Sequence, residues 1–145
     1  MGMRSSLRLG LAVLLLAAVG CGASGPKIVP VSGRVMMDNK PLAKARITFQ
    51  PIGKGGNLYP GPGSYGETDA DGNYSLKTVG DDKPGAVVGE HRVEISLPGA
   101  RPADNDDKTP MRNGVPARYN VKSELRFTVP DGGTSEANFP DLKSR

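Results

Sequence analysis

Few side chains in this sequence are equipped for covalent or acid–base chemistry: it holds one cysteine, Cys21, and one histidine, His91, in 145 residues. A cysteine and a histidine could act as nucleophile and base, the imidazole taking the thiol proton. Here Cys21 directly follows an apolar run, while His91 lies on the apolar register of a strand pattern, where a lone histidine reads as a structural hydrogen-bonding residue. One histidine cannot build a zinc centre, and no serine sits in a Gly-x-Ser-x-Gly elbow. The neighbouring acids Asp81-Asp82 and Asp106-Asp107 fall in polar stretches that offer nothing to raise a carboxyl pKa, as a general acid requires.

Two further patterns suggest ligands. Asp69, Asp71 and Asn73 occupy the first, third and fifth places of a calcium loop, but glycine stands fourth instead of sixth, and Gly80 replaces the bidentate Glu at the twelfth. The segment reads better as an Asp-Gly hairpin turn. Residues 51–64 are rich in glycine, yet lack the GxxxxGK[ST] spacing, and Pro60 and Pro62 have no N–H to offer a phosphate. This stretch reads as a mobile surface loop. The sequence therefore predicts no enzyme, no cofactor and no metal site.

Cys21 takes its meaning from what precedes it. Arg4 and Arg8 lead into an apolar run from Leu9 to Val19 that ends in small residues, the layout of an export signal. The run is about 11 residues long, where a membrane-spanning helix needs about 20, so a cleaved signal is expected rather than a span. Without residues 1–20 the formal charge falls from +4 to about +2, with both signs mixed and no basic cluster. Nucleic acid is excluded as a partner on that ground.

Ala18-Val19-Gly20-Cys21 resembles the lipobox of bacterial lipoproteins. That resemblance implies cleavage before Cys21, lipid on its thiol and acylation of the new amino terminus, although the family prefers Leu where Ala18 stands. Gly22 follows the cysteine where Asp would often signal inner-membrane retention. The implied location is a lipid anchor in the outer membrane, facing the periplasm or the cell surface. The alternative is ordinary secretion after Gly20 with Cys21 left as a free thiol. In either case one cysteine allows no internal disulfide, so stability must come from packing.

The rest of the chain must be read for elements. Twenty glycines and thirteen prolines exclude long helices. Residues 21–29 read as a flexible linker carrying the lipidated cysteine, and 30–142 as one domain. Val31, Gly33 and Val35 alternate with polar or longer neighbours, and Ala45, Ile47 and Phe49 do the same. With the Asp38-Asn39-Lys40-Pro41 turn between them, these runs are expected to form a hairpin. Tyr65–Asp69 and Asn73–Val79 are expected to pair across the Asp71-Gly72 turn, with Tyr74, Leu76 and Thr78 inward. The clearest strand is 89–97, with His91, Val93, Ile95 and Leu97 on one face. Strand signals return at 115–120 and 125–129, and 137–142 reads as an edge strand because of Pro140. About seven short strands with intervening turns predict a single antiparallel β-sandwich.

Val31-Ser-Gly-Arg-Val35, the segment from Asp38 to Phe49, Thr68–Leu76 and Gly89–Ile95 together resemble the carboxypeptidase regulatory-like, transthyretin-like β-sandwich family. With the lipobox and the 115–120 stretch, the chain is similar to small lipoproteins of planctomycete-type bacteria. The resemblance implies a non-enzymatic module of the cell envelope, structural or protein-binding. The family's hydrolase branch uses several histidines with an Arg and a C-terminal Tyr-Arg-Gly-Ser, none of which matches His91 or the ending Asp-Leu-Lys-Ser-Arg145. The alternative reading is a carbohydrate- or cation-binding surface using the 51–64 and 98–114 loops, with Tyr59 and Tyr65 as the aromatic residues and Asp104, Asp106 and Asp107 as the acids.

Overall fold

The computed structural model describes residues 25–98 and 115–145. The export signal at 1–20, Cys21, and the loop acids Asp104, Asp106 and Asp107 lie outside the described residues. Within them the chain is all-β, with eleven short strands and one 3₁₀ turn. In chain order these are β1 (Ile28–Val29), β2 (Ser32–Met37), β3 (Lys40–Pro41), β4 (Arg46–Pro51), β5 (Ser64–Glu67) and β6 (Asn73–Ser75). They continue with β7 (Lys77–Thr78), β8 (Ala86–Val87), β9 (Gly89–Ser96), the 3₁₀ turn Ala117–Tyr119, β10 (Arg126–Val129) and β11 (Phe139–Leu142).

The alternation in β9 places it near the middle of a five-stranded antiparallel sheet ordered β10-β9-β4-β5-β7. Its odd residues His91, Val93 and Ile95 are buried, while Glu90, Arg92, Glu94 and Ser96 are half-buried. Opposite it, β4 sets Ile47 against Ile95 and Phe49 against Val93, and all four side chains are fully buried. A second sheet is built around β2, with β11 on one side and β3 and β6 on the other. β1 and β8 form a separate two-stranded ribbon. The sheets meet through aromatic rings: Phe139 of the second sheet lies 6.3 Å from both Phe49 and Phe127 of the first. Such facing sheets with a shared apolar interior are consistent with a β-sandwich.

Three expectations need correction. The runs at 31–36 and 45–50 do not form a hairpin, since β2 and β4 belong to different sheets. The turn itself forms: Asp38 and Asn39 have φ of 51° and 63°, the left-handed pair of a type I′ turn, and Met37 faces Lys40. After two residues of β3, however, the chain leaves for the other sheet. Thr68 secures that crossing by donating to the Leu42 carbonyl at 2.5 Å and accepting from the Ala45 amide at 2.8 Å.

The hairpin expected around Asp71-Gly72 does form: Tyr65 lies opposite Lys77, and the Asp69 amide donates to the Asn73 carbonyl at 2.9 Å beside the turn. Its second arm serves both sheets, since β7 pairs with β5, Ser64 opposite Thr78, while β6 just before it pairs with β2. Tyr74, Leu76 and Thr78 are buried as expected.

The 115–120 stretch is no strand. Pro116 precedes a 3₁₀ turn in which the Tyr119 amide bonds the Pro116 carbonyl at 2.9 Å, and the Asn120 side chain accepts from the Val121 amide. Local hydrogen bonding has overridden the β-propensity of Val and Tyr here.

Finally, the architecture is not purely antiparallel. β11 is an edge strand as Pro140 requires, but it runs parallel to β2, with Phe139 beside Val35 and Leu142 beside Met37. The seam is extended by Ser32 N to Thr134 O and Asp38 N to Leu142 O, each 2.9 Å, and by Ala137 N to Ser32 O at 3.0 Å.

Candidate functional site

Each residue singled out above has a definite environment. His91 is fully buried on β9, its ring 5.6 Å from that of Phe49. Nδ1 lies 3.0 Å from the Gly89 carbonyl, so it carries the proton and donates, and Nε2 is buried without a hydrogen-bond partner. Desolvation lowers the imidazole pKa, outweighing the Gly89 bond that raises it. This is a neutral core histidine with no route to solvent for a substrate.

The Asp69–Asn73 turn spends its carboxylate on its own backbone: Asp69 Oδ1 accepts from the Asp71 and Asn73 amides, both at 2.9 Å. That is turn geometry rather than a ligand cage. At the Asp81-Asp82 pair the electrostatics run against general-acid chemistry. The Thr78 hydroxyl, then Lys83, hold the Asp81 carboxyl down at about 2. Asp82 is lowered first by its bond from Lys77 and then by that from the Tyr65 hydroxyl. Both groups are thus committed to the ionised form, whereas an acid catalyst needs the opposite.

Of the two tyrosines bordering the 51–64 loop, Tyr65 is occupied. Its hydroxyl donates to Asp82 at 2.9 Å, and Arg46 and Lys77 stand 4.7 Å and 5.0 Å from its ring centre. Tyr59 is different, 90% exposed, next to Leu58 at 83%. The loop that carries them is fastened rather than loose. Asn57 N donates to Lys54 O at 3.1 Å, and Asn57 Oδ1 accepts from the Tyr59 amide at 3.0 Å. Farther along, Gly61 has φ of 119°, and a Cβ there would stand 2.8 Å from Pro26 and 2.9 Å from Val87. The loop therefore packs beside the first described residues of the chain. Sequence reasoning singled out the loop for its tyrosines, but this contact joins residues far apart in the chain and leaves no local signal.

A shallow polar groove crosses β2 and β6, lined by Ser32, Arg34, Glu67, Asp69, Asn73 and Ser75 among others. Its principal cation is used internally, Arg34 Nε donating to the Asp71 carbonyl at 2.8 Å. Tyr74 borders it but is buried, its hydroxyl bonded to Ala137. A sugar would find no free aromatic platform there.

The geometry defines an all-β domain with a packed interior and a fastened apolar loop tip at one end. Comparison with known proteins gives no match to any family model, curated protein or solved structure.

Proposed function

We propose that this protein is an exported lipoprotein, held on a membrane by acyl chains on Cys21, whose domain serves the cell envelope as a non-enzymatic structural or protein-interaction module. The observation that carries this reading is the placement of the only cysteine immediately after an apolar run preceded by Arg4 and Arg8. No helix among the described residues is long and apolar enough to cross a membrane, and two or more acyl chains are sufficient to hold a protein on a bilayer durably.

We read the fold as a β-sandwich of the carboxypeptidase regulatory-like, transthyretin-like kind. The facing sheets and the Phe49–Phe139 contact support that reading. The non-enzymatic assignment draws on the buried neutral His91 and on the depressed pKa of Asp81 and Asp82. The outer membrane, facing the periplasm or the cell surface, is the proposed location, and an envelope protein or glycan the proposed partner.

The test is intact mass and membrane fractionation in a bacterial host, beside Cys21→Ser. Loss of residues 1–20, acyl mass on the wild type and membrane partition that the mutant lacks are the expected results. Soluble, unacylated protein in both cases sinks the anchor and leaves a diffusible domain with a free thiol.

A further inference from the structure

The side chains of Leu58 and Tyr59 stand exposed on a loop whose backbone is held in place. Its position is specific. The loop joins the end of β4 to the start of β5, and Gly61 packs against Pro26. Pro26 is five residues from Cys21, a stretch that reaches at most about 18 Å when extended. Val79, 54% exposed, lies beside the end of the same loop, its amide bonding the Gly63 carbonyl at 2.8 Å.

Among the described residues, four ion pairs lie near this end. Lys27 pairs with Asp131 at 2.8 Å, Lys83 with Asp81 at 2.9 Å, Lys77 with Asp82 at 3.0 Å, and Lys54 with Glu90 at 3.7 Å. The Asp69–Asn73 turn lies at the other end, beyond Glu67 at the far end of β5.

From this placement we infer that Leu58 and Tyr59 form a second contact with the lipid bilayer, dipping into the headgroup boundary and fixing which end of the domain faces the membrane. The inference rests on the lipid anchor at Cys21. A leucine and a tyrosine suit the occupant: the leucine is apolar, while the tyrosine ring favours the interface with its hydroxyl in the headgroups. Two side chains give only weak affinity in solution. Tethering changes that, because a short linker holds the loop at an effective concentration of roughly millimolar or more at the surface. Because these four lysines are already paired, the contact does not require anionic lipid.

The chain has no tryptophan, so Tyr59→Trp creates a single fluorescent reporter at a site too exposed to disturb the core. The full-length acylated protein is reconstituted into phosphatidylcholine vesicles with and without brominated acyl chains, and intact mass establishes the acylation first. Ala70→Trp, in the exposed turn at the opposite end, is the control. A side chain lying about 5–10 Å into the boundary reaches the bromines. Emission from the Tyr59→Trp protein should then shift to the blue and be quenched about twofold, with the Ala70→Trp protein unaffected and Leu58→Asp in the Tyr59→Trp background abolishing the quenching. Equal, weak quenching of the two reporters in acylated protein overturns the contact while leaving the anchor standing, and so does protection of the position-59 reporter only on adding envelope proteins. Absence of acyl mass overturns the anchor, and this contact with it.

Discussion

The hydroxyl of Tyr74 donates a 2.6 Å hydrogen bond to the carbonyl oxygen of Ala137, across the position of Gly33. Gly33 is the Cα partner of Tyr74 in the β2–β6 pairing, and the Ala137 carbonyl occupies the space where a Gly33 side chain would begin. The tyrosine thus bridges the two segments that flank β2. Removing its hydroxyl leaves a buried carbonyl unsatisfied, so Tyr74→Phe should cost about 1–2 kcal/mol in urea denaturation with an unchanged slope. Burial pushes the phenol pKa well above its ordinary 10.0. The unfolded chain therefore ionises first, and the stability that Tyr74 supplies below pH 10 falls as pH rises beyond it. The Phe variant should lose less stability than wild type over that alkaline range.

Gly33→Ala should be more damaging. A Cβ at this position would lie 2.0 Å from the Ala137 oxygen, which is backbone and cannot swing aside. We expect a loss of about 3 kcal/mol, the upper end of overpacking costs, measured by the same denaturation curves. Wild-type stability in this variant would show that the 130–142 segment yields easily.

His91 supplies the acid-side prediction. Desolvation lowers its pKa below the ordinary 6.5, so the folded protein keeps the ring neutral while the unfolded chain binds a proton. The stability this group contributes is present above pH 6.5 and falls as pH drops through and below it, at no more than about 1.4 kcal/mol per pH unit. His91→Leu should flatten that part of the stability profile. An equally steep profile in the variant would place the acid sensitivity elsewhere.

Lys44 has φ of 56° in the crossing from β3 to β4. A residue with a Cβ loses roughly 1–2 kcal/mol in this left-handed region, while glycine avoids that cost but gives up about 0.5–1 kcal/mol of chain entropy. Lys44→Gly should therefore stabilise the protein by about 0.5–1 kcal/mol. Thermal melting of the variant is the check, with an unchanged or lower midpoint counting against the argument.

Local signals in the sequence carried much of this architecture. The alternation of His91, Val93 and Ile95 marked β9, and Asp38-Asn39 and Pro140 marked a turn and an edge for stated backbone reasons. Strand partners were harder to read. Nothing in residues 31–50 announces that the chain changes sheets at Leu42–Lys44, because the hydroxyl holding that crossing belongs to Thr68, twenty-six residues beyond Leu42. The parallel seam between β2 and β11 likewise joins residues about a hundred apart, as Asp38 N to Leu142 O illustrates. At the site, Tyr59 and Tyr65 look alike in sequence. Only packing separates them, since Arg46, Lys77 and Asp82 engage Tyr65 while Tyr59 is left at the tip.

The parallel course of β2 and β11 gives the domain a mechanical direction. Chain entering β2 at Ser32 and chain leaving β11 at Leu142 depart from opposite ends of the seam. Tension applied between those points slides one strand lengthwise against the other. The bonds from Ser32 to Thr134, Ala137 to Ser32 and Asp38 to Leu142 then bear the load together, whereas in a hairpin pulled from its open end they would break in succession. The seam is therefore loaded in shear, the geometry in which a few short hydrogen-bonded pairs resist most force before yielding.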